Sequence, residues 1–230
     1  MEIYQGFIFA KHNRVHGTAV SANQGAVLIL LVALQDPDIT ADKLELIVLS
    51  DAVLTYRIIK LVNSAHYRRA NEITSVAAAI TMLGLRQISA FASLFSLSTL
   101  DEKPTELSLY TAMRADLCQR IGAAHNLPHA TENLFVLGVL SCTEAYFDQS
   151  MQALTATLPI SDELKGALCK REGCLGALLN IAQGYQEGSW SSLNWAQLGE
   201  YAFVAETADA AYQESLLWLA EHRQQILSVR

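Results

Sequence analysis

Apolar residues recur along this chain at helical rather than alternating spacing. Val76, Ala79, Ile80 and Leu83 follow the i, i+3, i+4, i+7 rule, with Ser75 placed to cap the start and Gly84 to stop the end. Leu54, Ile58, Leu61 and Val62 mark a second face, and Tyr110, Met113, Leu117 and Ile121 a third. Ser161-Asp-Glu-Leu opens another helix with a cap and an acidic first turn. Prolines at 37, 104, 128 and 159 fall where helices should end, because proline lacks the amide and crowds the preceding turn. The pattern predicts helices near 22–34, 40–49, 51–64, 75–83, 85–99, 105–124, 131–147, 150–157, 161–171 and 175–187, with two more within 195–228. Alternation occurs once, at Ile3–Phe9. The expected fold is all-α, a multi-helix bundle with room for one short N-terminal β-strand. Polarity rises at Asp101-Glu-Lys-Pro104, which allows two lobes, 21–102 and 103–230.

With 230 residues, 51% hydrophobic and 17% charged, the chain has ample material for a packed core, and disorder is excluded. The net charge of −7 lies entirely in residues 116–230. An acidic chain repels phosphate backbones, so no nucleic-acid partner is expected. The longest apolar run, Ala26–Leu34, is too short to span a bilayer, and the N-terminus lacks the basic start of a signal peptide. A cytoplasmic location is expected. Cys118, Cys142, Cys169 and Cys174 match no strong metal spacing and read as reduced thiols.

One segment carries more than periodicity. Asp51 and Leu54 are followed by Leu61-Val-Asn-Ser-Ala65, then by Ile73-Thr-Ser75, Ala79-Ile80 and Leu83-Gly84. This ordered set resembles the HDOD family, the HD-related output domains of bacterial signalling proteins. Met113-Arg-Ala115 and Phe135-Val-Leu-Gly-Val-Leu140 resemble the family's later helices. Before it, Tyr4-Gln-Gly-Phe-Ile-Phe-Ala-Lys11 resembles the last strand of an EAL domain, the cyclic di-GMP phosphodiesterase module, with His12 where a proline would be usual. The resemblance divides the chain into an EAL-like tail and linker at 1–20 and an HDOD domain at 21–230. It implies an HD-like helical fold, a protein partner such as an EAL, GGDEF or other signalling domain, and descent from a longer EAL–HDOD protein.

The HD hydrolases related to this family hold divalent metal with histidines and aspartates, lowering the pKa of bound water. None of the six histidines here precedes an aspartate. At Gly138-Val-Leu-Ser-Cys-Thr-Glu144, Ser141 and Cys142 stand where the His-Asp pair would fall, and the helix at 105–124 has no histidine. No cofactor, no metal, no catalytic residue and no enzymatic activity are therefore expected. His125 and His129 are four apart, but Pro128 breaks their shared face. Asn63 and Ser64 have two readings. Either they satisfy carbonyls at a helix end, or they form an exposed contact surface with Arg57, Lys60 and Arg68. His66 has the same two readings, a helix-end role or a ligand contact. Trp190, Trp195, Tyr201 and Phe203 read as C-terminal core. The expected function is a non-catalytic output or scaffold domain in cyclic di-GMP-linked signalling that works by protein contacts. The alternative is a degenerate HD-type pocket that senses a nucleotide without hydrolysing it.

Overall fold

The computed structural model describes residues 22–227 apart from 35, 37, 65–66, 68–71, 101–102, 126, 128–130 and 157–159. The alternating stretch at 3–9 and the EAL-like stretch at 4–11 lie outside the described residues. Among the described residues every regular element is helical. The first half comprises α1 (Ala22–Leu34), α2 (Ala41–Leu49), α3 (Ala52–Val62), α4 (Val76–Leu83) and α5 (Leu85–Leu97). Then come α6 (Thr105–Ala124), α7 (Thr131–Leu140), α8 (Thr143–Phe147), α9 (Met151–Ala156) and α10 (Asp162–Lys170). The chain continues with α11 (Gly173–Gln186), α12 (Trp195–Leu198) and α13 (Ala205–Leu227).

Local chemistry sets these boundaries. The Asp51 carboxylate accepts from the amides of Val53 at 2.8 Å and Leu54 at 3.1 Å, starting α3. Ser75 accepts from Ala78 N at 3.2 Å and Ser161 from Leu164 N at 3.2 Å, satisfying amides that the helix itself leaves orphaned. Gly84 takes φ +87, which lets α4 and α5 meet at 117° with one residue between them. In place of the single helix expected over 131–147, α7 stops at Leu140 and α8 begins at Thr143. Ser141 Oγ donates to Gly138 O and Thr143 Oγ1 to Leu140 O, both at 2.7 Å, and Cys142 N bonds Val139 O, tightening the chain into a turn.

α5 and α6 are the most buried helices of their regions, and α6 packs along both α7 and α13. One cluster of buried side chains joins α1–α5 to α6 and α7 through Leu31, Ile58, Phe91, Leu107 and Phe135. A second joins α6 and α7 to α10, α11 and α13 through Leu117, Ile121, Leu178 and Phe203. Arg120 ties α6 to α13, bonding Asp116 at 2.6 Å and Glu214 at 2.7 Å. Among the described residues no single helix is long and apolar enough to cross a membrane.

Candidate functional site

The residues singled out around the end of α3 do not share one surface. Lys60 is exposed, its ammonium 5.8 Å from the centre of the Tyr56 ring. Arg57, expected on that surface, is instead only 3% exposed. It donates to Phe95 O at 2.7 Å and Ser98 Oγ at 2.5 Å, and its guanidinium lies over the Phe95 ring. Asn63 makes hydrogen bonds across the turn that follows α3. Its amide donates to Ile59 O and Ile73 O, and its Oδ1 accepts from Ile73 N at 2.8 Å, which closes the loop between α3 and α4. Ser64 Oγ is buried without a hydrogen-bond partner among the described residues. Arg68, His66 and His129 lie outside the described residues. His125 caps the end of α6, with Nδ1 2.7 Å from Ile121 O and its ring edge against Phe203.

Ser141 and Cys142 sit in the turn between α7 and α8, both buried. They form part of the wall of a cavity of about 270 Å³ that is also lined by Tyr110 and Arg114 of α6, Glu144 of α8, Arg171, Gln183 and Glu187. Gly138 makes this arrangement possible. A Cβ there would stand 2.5 Å from Ala115 Cα and 2.9 Å from Arg114 O, so α7 approaches α6 this closely only without a side chain. Arg171 ends α10 in the left-handed conformation, φ 59. Gly176 lets α11 pack on that turn, since a Cβ there would stand 2.1 Å from the Arg171 carbonyl carbon.

The chemistry of this cavity is set by two arginines. Arg114 is almost wholly buried, donating from Nε to Gln186 Oε1 and from Nη2 to the Tyr110 hydroxyl, with its guanidinium 4.9 Å from the centre of the Tyr110 ring. Arg171 donates from Nη1 to the carbonyls of Ala167 and Leu168 and from Nη2 to Gln183 Oε1. All these partners are neutral. Burial, and then the charge of Arg114, hold the Arg171 guanidinium below its usual range. The carboxylates in the wall face other partners: Glu144 accepts from Met151 N at 2.5 Å, and Glu187 from Gln183 Nε2 at 2.7 Å.

Among the described residues no group of three or more His, Cys, Asp or Glu is placed to hold a metal ion. Burial pushes the Cys118 thiol, behind the cavity on α6, up to about 12. Sequence reasoning missed both arginines. Their one signal was a charge at Arg114, on the same helical face as Tyr110, Leu117 and Ile121.

A family model for the HDOD domain matches residues 24–147. The cyclic di-GMP phosphodiesterase CdgJ of Vibrio cholerae is 29% identical over 216 residues, covering 94% of this chain and 50% of CdgJ. YuxH of Bacillus subtilis is 23% identical over 221 residues, covering 94% of this chain and 53% of YuxH. The chain thus spans about half the length of these relatives. An HDOD domain protein from Geobacter sulfurreducens has the same fold, with a TM-score of 0.50 and 18% identity over 91% of this chain and 77% of that one. The expectation of no enzymatic activity is overturned by CdgJ, a relative named as a phosphodiesterase. The missing His-Asp pair addresses only one metal chemistry, and absence of that chemistry does not make a protein inactive. The ordered motif from Asp51 to Gly84, the wholly helical architecture and a family match over more than half its length place this chain in the HDOD family.

Proposed function

We propose that this chain serves the turnover of cyclic di-GMP, as the HDOD part of a protein with phosphodiesterase activity. Its helical body acts through contact with a signalling domain of the EAL or GGDEF kind. The observation that carries this reading is the 29% identity to CdgJ across 94% of the chain. The contact surface is supported by α2 and α3, which leave Leu46, Leu49, Val53 and Tyr56 exposed beside Lys60. Large apolar side chains exposed together at a helix pair are characteristic of protein contacts.

Expressing the chain in bacteria and measuring cyclic di-GMP by mass spectrometry tests the reading. The expected result is a fall in the messenger, abolished by Leu46→Asp combined with Tyr56→Asp. An unchanged messenger level overturns the role in turnover. A fall that survives the double substitution overturns the contact surface.

A further inference from the structure

We propose that the cavity between α6, α8, α10 and α11 is a binding site for a small zwitterion, a free α-amino acid. Arg114 and Arg171 line it with positive charge, Glu144 and Glu187 with negative charge. These formal charges cancel, so the cavity favours neither a lone anion nor a lone cation. Opposite charges brought into one small cavity offset their desolvation best by direct contact. Here no nitrogen of either arginine lies within 4.0 Å of a carboxylate oxygen of either glutamate. Each charge is instead held by neutral groups. Arg114 bonds Gln186 and the Tyr110 hydroxyl, and Arg171 bonds two carbonyls and Gln183. Glu144 accepts from the Met151 amide and Glu187 from Gln183. The two signs thus stand around one space without touching, and a ligand that carries both can contact both.

The unused hydrogen-bonding groups come in both kinds. Arg114 is only 4% exposed, yet its Nη1 has no partner among the described residues and is not sealed in the interior as Arg57 Nε and Nη2 are. Arg171 Nε is likewise open and without a partner among the described residues. On the acceptor side, each glutamate uses Oε1 alone, which leaves Oε2 of Glu144 and of Glu187 without a partner among the described residues. Guanidinium groups hold a carboxylate with directed, charge-assisted hydrogen bonds. An ammonium group offers three donors and no acceptor, which suits carboxylate oxygens. A cavity of about 270 Å³ lies just below the usual range for small-molecule sites, about 300–1,000 Å³, so it admits an amino acid more readily than a nucleotide. Leu107 and Ala145 complete the wall and give an apolar side chain a place to rest.

This site does not depend on the role in cyclic di-GMP turnover. Thermal denaturation of the full chain with each standard amino acid in turn tests it, followed by calorimetry with the most stabilising one. A ligand that binds only the folded state raises Tm, and at least one amino acid is expected to do so. Its N-acetyl derivative keeps only the negative charge, and its carboxamide only the positive. Each is expected to bind at least about tenfold more weakly. Glu187→Gln retains an acceptor for Gln183 and removes the charge. Glu187→Gln and Arg114→Gln are each expected to weaken binding at least about tenfold, with circular dichroism confirming that the variant remains folded. Should Arg114→Gln unfold, Glu187→Gln alone decides. Failure of every amino acid to raise Tm or release heat, equal affinity for either singly charged derivative, or undiminished binding in folded Glu187→Gln overturns the proposal. None of these results bears on whether the chain alters messenger levels in cells.

Discussion

Arg57 on α3 and Phe95 on α5 are joined twice, by a 2.7 Å hydrogen bond from guanidinium to carbonyl and by the guanidinium lying 5.7 Å from the centre of the ring. The Phe95 carbonyl also accepts from Ser98 Oγ at 2.7 Å, so it keeps a partner if the arginine is removed. Arg57 Nε and Nη2 are buried and unpartnered. Arg57→Met, which keeps the volume and removes the desolvated charge, is expected to raise stability by up to about 1 kcal/mol. Arg57→Ala, which leaves a cavity, is expected to lower it by about 2–4 kcal/mol. Urea denaturation of the two variants measures both, and a large loss with Met contradicts this account of the residue.

Asn63 holds the loop between α3 and α4 through both ends of its amide. Asn63→Asp keeps the acceptor for Ile73 N and removes the donor to Ile59 O and Ile73 O. The expected loss is about 2–3 kcal/mol, from two carbonyls left without that donor beside a partly buried charge. Asn63→Ala is expected to lose a similar amount. A change below about 0.5 kcal/mol in chemical denaturation would show that water replaces the bridge.

Gly138→Ala places a methyl group against the backbone of Ala115 and Arg114, where no flexible side chain can yield. Overpacking of this kind costs about 1–3 kcal/mol. The expected outcome is a lower Tm, because α7 can no longer approach α6 this closely. An unchanged Tm contradicts the close crossing of α6 and α7.

Burial pushes the hydroxyls of Tyr67 and Tyr110 up to about 12, and raises those of Tyr146 and Tyr185 as well. In the unfolded chain a tyrosine loses its proton near pH 10. A proton held more tightly in the folded state contributes stability that is complete below pH 10 and is lost as pH rises towards 12. Arg57 and Arg171 work in the opposite sense, because burial lowers both, Arg57 to about 10, but they are two groups against four. Helicity is therefore expected to fall between pH 10 and 12, with tyrosinate absorbance rising over the same interval. Full tyrosine ionisation near pH 10 with helicity intact contradicts the burial of these rings.

The helices were legible because their causes are local. Asp51, Ser75 and Ser161 cap within one turn of chain, and Gly84 permits its bend by its own backbone freedom. The break at Ser141-Cys142 was less visible, since both residues also tolerate a helix interior and the turn depends on which carbonyls their neighbours reach. The exposed surface assigned to Arg57 failed because a charged residue was taken to be solvated, whereas a carbonyl and a ring far along the chain receive it. Arg114 and Arg171 stayed hidden for the same reason. Nothing in the spacing of either reveals that α11 presents Gln186 to one and Gln183 to the other, one helical turn apart.

The most direct test of the role in messenger turnover is to delete the coding sequence for residues 22–227 from the chromosome in frame and quantify cellular cyclic di-GMP. The account predicts a rise in the messenger relative to the parent strain, reversed when the segment is restored. An unchanged or lower level in the deletion strain contradicts it.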